Sequence, residues 1–385
     1  MGKKKAIVVG AGIVGLAAAR ALAKHGYKVE VFEKSERAVG ASVRNFGMVC
    51  PIAHPLGSLY ERATRSRDIW RELCTEANLY HSNRGSLYLA HEQDELDIIE
   101  EFVDLNSGYR PVRLVSKDEI LSLSPAANPV GLKGGFFSAD EVIVDPREAI
   151  RTIPDYFAET LDIKFRFFSS VTRVEHPYVW CGVQRFEADE VYICSGPDFE
   201  SLYPELYLAN PLTRCNLQML RSVPQPNGFN IGPALCGGLS LLHNKSFEDC
   251  PSISRMYKRI IAEHPEYLEH GIHVMISQTG IGEVTIGDSH HYGYTLEPFN
   301  SEHINTLILN YLRRFVVLPD WTIQQTWNGI YVKMVEGTEL VLTPEEGVTI
   351  VNGLGGAGMT LSFALLEDVV NGKYKMREDV FTPNN

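Results

Sequence analysis

The tightest constraint on this chain lies in its first 33 residues. Ala6-Ile7-Val8-Val9 is a short apolar run, the pattern of a strand buried on both faces. It enters Gly10-Ala11-Gly12-Ile13-Val14-Gly15, a GxGxxG turn, and then an Ala- and Leu-rich helical segment, Ile13 to His25, that stops at Gly26. Lys28-Val29-Glu30-Val31-Phe32 reads as a second strand, closed by Glu33. Strand, glycine turn, helix, strand and acid in this order form the dinucleotide-binding pattern. Gly10 permits the turn, Gly12 lets backbone amides approach a pyrophosphate, and Gly15 removes a side chain where helix meets sheet. The helix tip presents free N–H groups and a positive dipole end to the phosphates. Glu33 is placed to accept hydrogen bonds from ribose hydroxyls and disfavours a 2′-phosphate.

At 385 residues the chain exceeds what one core usually organises, so two domains or interleaved lobes are expected. Hydrophobic residues at 44% and charged residues at 22% exclude a disordered or fibrous chain. The net charge of −12 argues against nucleic acid as a partner, although a local basic pocket can still hold a small anion. Seven cysteines, an odd number without a CxxC pair, fit reduced thiols and a cytoplasmic protein. Lys3-Lys4-Lys5 before an apolar run imitates a secretion signal, but the glycines inside that run answer to the turn instead. No stretch is long and apolar enough to predict a membrane span.

Three further segments bear on the same cofactor. Lys34 to Gly47 is small, polar and glycine-punctuated where a nicotinamide enzyme would begin a helix. Glu190-Val191-Tyr192-Ile193 is a buried strand running into the small-residue turn Cys194-Ser195-Gly196-Pro197, with Cys194 a small core residue. Gly347 to Asn352 is a strand entering Gly353-Leu354-Gly355-Gly356-Ala357-Gly358-Met359-Thr360, and Leu361 to Asn371 is an apolar helix ending at Gly372. A second glycine-rich strand-to-helix turn so far from the first is foreign to a simple nicotinamide enzyme.

Gly40-Ala41-Ser42-Val43-Arg44-Asn45-Phe46-Gly47 resembles the GAS-x-x-N-x-G loop of the D-amino acid oxidase, glycine oxidase and sarcosine oxidase superfamily, which wraps a flavin. The resemblance implies an α/β fold, α+β overall: a Rossmann-like FAD-binding domain interleaved with an antiparallel-sheet substrate domain. It assigns 1–80, 141–210 and 320–385 to the first and 81–140 and 211–319 to the second. It places Lys34, Ala41, Ser42, Arg44, Asn45 and Gly47 around FAD beside the GxGxxG residues and Glu33. Val171 falls where the family contacts the adenine half, and Ser195 and Gly196 resemble its turn near the cofactor. The last turn, Gly355 to Thr360, aims its helix tip at the pyrimidine end of the flavin ring, where reduction leaves negative charge. Sarcosine oxidases attach flavin to a late cysteine; this chain has none after Cys250, so FAD is expected to be noncovalent.

Within the superfamily, Val43 to Met48, Arg214 to Met219, Gly287 to His290 and Trp327 to Lys333 are similar to a clade of oxidoreductases linked to aminophosphonate breakdown. The implied substrate is 2-aminoethylphosphonate or its N-methyl derivative, oxidised to an imine that hydrolyses, with dioxygen or another acceptor taking the electrons. Amino-acid oxidases of the family carry W-x-G-x-R, whose Arg clamps a carboxylate. Here Trp327-x-Gly329-x leads to Tyr331, with Lys333 two residues on and on the same strand face. A hydroxyl and an ammonium suit a tetrahedral dianion; a solvated strand-end lysine is the alternative. Arg44 is the other candidate anion binder, the alternative being a partner in Glu36 or solvent.

His54 and His290 can line the pocket or serve as structural residues. His264, His270 and His273 hint at a metal, but no carboxylate or cysteine completes a ligand set, so no metal is expected. The 58–77 segment reads as an amphipathic scaffold helix. Other functions compatible with the sequence are a D-amino acid or glycine oxidase clamping its substrate through Arg44, a quinone-linked dehydrogenase of the same fold, and a flavin-binding protein without catalysis. Oligomeric state leaves no mark in the sequence.

Overall fold

The computed structural model describes residues 3–375. Residues 1–2 and 376–385, counted in the expected cofactor unit, lie outside the described residues.

Strand Lys5–Val9 lies near the middle of a six-stranded sheet, pairing in parallel with Lys28–Phe32 on one side and Glu190–Ile193 on the other. Lys164–Arg166 continues the sheet beyond Lys28–Phe32, and Val348–Asn352 continues it beyond Glu190–Ile193. Leu340–Glu345 closes that edge antiparallel. The inner strands are apolar on both faces because both faces are covered. Helix Ile13–Lys24 packs against helix Gly358–Val370, and buried Arg20 bonds Glu367 across them at 2.8 Å. The predicted scaffold helix spans Ser58–Glu76 and backs this pair: Trp70 Nε1 donates to the Met359 carbonyl at 2.8 Å. The segment around Val171 forms two strands, Lys164–Arg166 and Val171–Glu175.

The second body of the molecule is a nine-stranded mixed sheet. Its long strands are Leu212–Ser222 and Ile323–Met334, hydrogen-bonded antiparallel from Leu212↔Met334 to Ser222↔Ile323. Helices Gln93–Asn106 and Glu302–Phe315 contribute Ile98, Phe102, Ile308 and Leu312 to its core. The expected division placed all of 320–385 with the cofactor sheet, whereas Ile323–Met334 joins the mixed sheet because its backbone partners lie on Leu212–Ser222. The division we propose therefore moves 320–334 to the substrate unit. No helix among the described residues is long and apolar enough to cross a membrane.

Candidate functional site

A cavity of about 980 Å³ opens between the two sheets. Its first wall is made mostly of backbone. Gly10 has φ +100°, and a Cβ there would sit 2.5 Å from the Cys194 carbonyl oxygen. A Cβ on Gly15 would meet the Gly10 carbonyl at 1.9 Å, so only glycine lets the helix start against its own turn. The Ile13 amide donates to Ser42 Oγ at 2.9 Å, drawing the 41–47 loop over the helix tip. Asn45 holds that loop, donating to the carbonyls of Ala41 and Ser42 and accepting from the Gly47 amide. Glu33 is buried and already oriented, accepting from the amides of Ala11 and Ser35, each at 3.0 Å.

The second glycine turn arrives at the same place. A Cβ on Gly358, first residue of the last helix, would lie 3.8 Å from Ile13, first residue of the first helix. The two tips therefore abut, though hundreds of residues separate them in sequence. Neither helix is capped by its own N-cap side chain, and apart from the Ile13 amide taken by Ser42 this leaves backbone N–H groups at the tips for another partner.

The opposite wall is built from side chains of the mixed sheet. Tyr331 comes within 3.9 Å of the position a Cβ would take on Gly356, and the Lys333 stem within 3.5 Å of that on Gly355. Burial, then the Cys215 thiol, pushes the Tyr331 hydroxyl well above its ordinary range. Lys333 Nζ lies 5.2 Å from the Tyr292 ring centroid. Arg44 turns away from Glu36: partly buried, it donates from Nη1 to the Asn328 carbonyl at 3.1 Å, and its own carbonyl accepts from Trp327 Nε1. The loop expected at the flavin is thus fastened to the strand carrying Tyr331 and Lys333.

Most of the predicted residues share this cavity, including Lys34, Val171, Ser195, Gly196, His54, His290 and Gly355 to Thr360. Lys34 also reaches Asp198 at 2.9 Å. Ala11, Gly15 and Gly47 stand behind the wall: their parts are the amide to Glu33, the helix–turn contact, and a close approach to the Val144 carbonyl. His54 is held neutral, pushed down to about 4 by burial and then by the charges of Arg110 and Arg62.

The suspected histidine grouping is not the one formed. His264 packs on Tyr267, and His270 on His291 and His303. His273 instead meets His290 and His243, with ring nitrogens of all three within 4.8 Å, beside Asp288. Sequence reasoning missed His243 and Asp288 as site residues. The antiparallel pair Met275–Gln278 and Val284–Gly287 is a signal for bringing 273 near 288, but nothing local marks His243, which arrives on the short helix Leu239–His243.

Residues 5–368 match the DAO family, described as FAD dependent oxidoreductase. The chain belongs to that family. Among curated relatives, this DAO-family chain is 30% identical over 154 residues to a glycine oxidase of Bacillus licheniformis, covering 38% of the chain and 40% of the relative. It is 30% identical over 129 residues to a mitochondrial L-2-hydroxyglutarate dehydrogenase of Dictyostelium discoideum, covering 31% and 29%. The matches thus span less than half the length of these relatives. The glycine oxidase structure from Bacillus cereus superposes with a TM-score of 0.76 at 17% identity, over 97% of this chain and 96% of that one, and so shares the fold.

The DAO family is FAD-dependent, and the residues present suit FAD. Two uncapped helix tips converge on the cavity, and a carboxylate stands at the end of the second strand. Gly12 and Ser42 form a cradle so narrow that a Cβ on Gly12 would come within 3.0 Å of the Ser42 hydroxyl.

Proposed function

We propose that this protein oxidises the C–N bond of a small anionic amine, 2-aminoethylphosphonate or its N-methyl derivative, to an imine that hydrolyses, with dioxygen as electron acceptor. FAD, when bound, supplies the hydride acceptor. Gly10 to Val14 and the Gly355–Thr360 tip would hold its phosphates and ring, Glu33 a ribose, and Ala41 to Asn45 its flank. Seven unpaired cysteines fit a reducing compartment, so we place the activity in the cytoplasm.

One observation carries the substrate reading: Tyr331 and Lys333, standing where the family's arginine motif departs, lie against the Gly355–Gly356 tip and line the cavity. Tyr331 keeps its proton and can donate a hydrogen bond, while Lys333 offers a point charge. Together they would hold the anionic end of the amine and so orient its C–H for hydride transfer to the flavin; positioning supplies much of the rate. His54, neutral at pH 7, adds no charge that would repel an amine.

The test is a panel of 2-aminoethylphosphonate, its N-methyl form, glycine, sarcosine and D-alanine, with flavin bleaching, oxygen uptake and peroxide recorded together. Bleaching by the phosphonate amines with peroxide release is expected. Preference for glycine, sarcosine or D-alanine would favour a second reading, a carboxylate clamped by Arg44, the arginine on the cavity wall among the described residues. Bleaching without peroxide would favour a quinone-linked dehydrogenase.

We expect noncovalent FAD. The cysteines on the cavity wall, Cys50 and Cys194, are poor nucleophiles, since burial pushes Cys50 well up and Cys194 to about 12. Acid precipitation should leave yellow FAD in the supernatant; a yellow pellet would refute it.

A further inference from the structure

We propose that His243, His273 and His290, with Lys333, form the receptor for a tetrahedral oxyanion head group on the substrate. This rests on the amine-oxidising reading above and adds the residues that select the substrate class.

All four side chains line the cavity. His273 and His290 are buried against the protein, whereas His243 stays open on the cavity side. His273 Nε2 is buried without a hydrogen-bond partner, as is Asp288 Oδ1. Both atoms have almost no exposed surface, so they mark unmet hydrogen-bonding demand in the cluster rather than contacts that a ligand in the cavity already reaches. His290 Nδ1 faces the Gly271 carbonyl at 2.9 Å and donates to it, which leaves Nε2 to receive a proton and turn donor.

Ring geometry selects the ligand. The rings of His243 and His273 stack at 4.2 Å with planes 7° apart. A histidine binds a metal along a lone pair in its own ring plane, at about 2.0–2.1 Å. Lone pairs in two nearly parallel planes stacked this far apart do not converge on one ion. N–H donors in those planes reach separate atoms, as two oxygens of one tetrahedral anion would require. His290 stands tilted 38° to His243, at 4.4 Å between centroids, and can serve a third oxygen. A tetrahedral oxyanion presents three oxygens spread in space to these donors, where a carboxylate presents two in one plane.

Charge is supplied on demand. Without a ligand, burial holds His273 and His290 neutral, and repulsion from neighbouring histidines and from Lys333 lowers His243 and His290 further. An arriving anion reverses that balance, so binding takes up protons. Asp288 lies 3.5 Å from His273 Nδ1 and 3.8 Å from His290 Nδ1, placed to steady the imidazolium that results. Lys245 also lines the cavity, and Tyr331, Tyr292 and Cys215, the remaining titratable neighbours, have their acid forms favoured by burial.

The experiment uses the FAD-loaded full chain and two inert probes, sulfate, whose charge is constant through neutral pH, and methylphosphonate, with acetate as the flat control. Binding is read by calorimetry and by the visible flavin spectrum. Sulfate should tighten about tenfold from about pH 8 to about pH 6, and acetate should bind weakly throughout. His273→Asn and, independently, His243→Gln should each weaken methylphosphonate about tenfold with flavin content unchanged. Two variants guard against one failing to fold. Binding that ignores pH and both substitutions would overturn the receptor, as would stoichiometric metal in the purified protein whose removal abolishes binding. Amine-driven bleaching without oxyanion binding would sink the receptor and spare the oxidase. Oxyanion binding without bleaching by any amine would do the reverse.

Discussion

The two walls of the cavity are made of different material. The cofactor wall is backbone: glycine turns and uncapped helix tips, trimmed by Ser42, Asn45 and Glu33. The opposite wall is side chain: Tyr331, Lys333, His243, His273, His290 and Asp288, delivered by strands and a short helix remote from one another in sequence. A backbone wall recognises what every relative shares, phosphates and a ring. A side-chain wall can be rewritten residue by residue without disturbing the sheet that carries it.

Breaking the first wall should have the largest effect. Gly15→Val drives a side chain into the Gly10 carbonyl, where backbone must yield, at a cost of about 3 kcal/mol or more. The purified variant should be colourless or insoluble, with FAD content the readout. A yellow variant of normal melting temperature would show that the contact is not needed.

On the second wall, Lys333→Ala should leave FAD content normal and raise the Michaelis constant for a phosphonate amine about tenfold, or ~1.4 kcal/mol. An unchanged constant would remove Lys333 from anion binding.

Acid should separate the walls further. His54 and His273 titrate near 4 and 3 in the fold against an ordinary 6.5, so between those values the unfolded chain holds more protons. Their contribution to stability is present above pH 6.5 and is lost as pH falls towards 4. Asp288, raised to about 6 by burial, works the other way between its ordinary 3.8 and 6, as do Glu95, Glu141 and Glu190, while His91, His243, His290 and His291, also lowered, add to the loss. The urea midpoint should drop from pH 7.5 to pH 5, and less steeply in His54→Gln. A midpoint that rises on acidification would contradict this balance.

The smallest effect belongs to Lys34→Ala. Its ion pair with Asp198 sits on a side chain 61% exposed, so removal should cost at most about 1 kcal/mol. FAD affinity by equilibrium dialysis should weaken only a few-fold; a large loss would make Lys34 a direct cofactor contact.

The legible parts follow the same divide. The GxGxxG turn and Glu33 could be read because each glycine answers to a neighbour within a few residues or to the next strand. The Gly355–Thr360 turn was legible for the same local reason, but its meeting with Ile13 depends on sheet order. Arg44 was read as a candidate anion binder or a partner of Glu36, and its bond to the Asn328 carbonyl was not foreseen because nothing in sequence places that carbonyl beside it. The histidines were grouped by proximity in the chain, as His264, His270 and His273, whereas folding chose His243, His273 and His290. Strand Ile323–Met334 was placed with the segment that follows it, although its hydrogen bonds run to Leu212–Ser222.

By itself, the sequence determined that this chain builds a dinucleotide-binding sheet with a glycine-rich strand-to-helix turn near each end of the chain, because turns and strand patterns are governed by short-range sterics and hydrogen bonds. Only the tertiary structure decided which side chains face that cofactor, because convergence across a cavity is set by strand pairing and helix packing between distant segments.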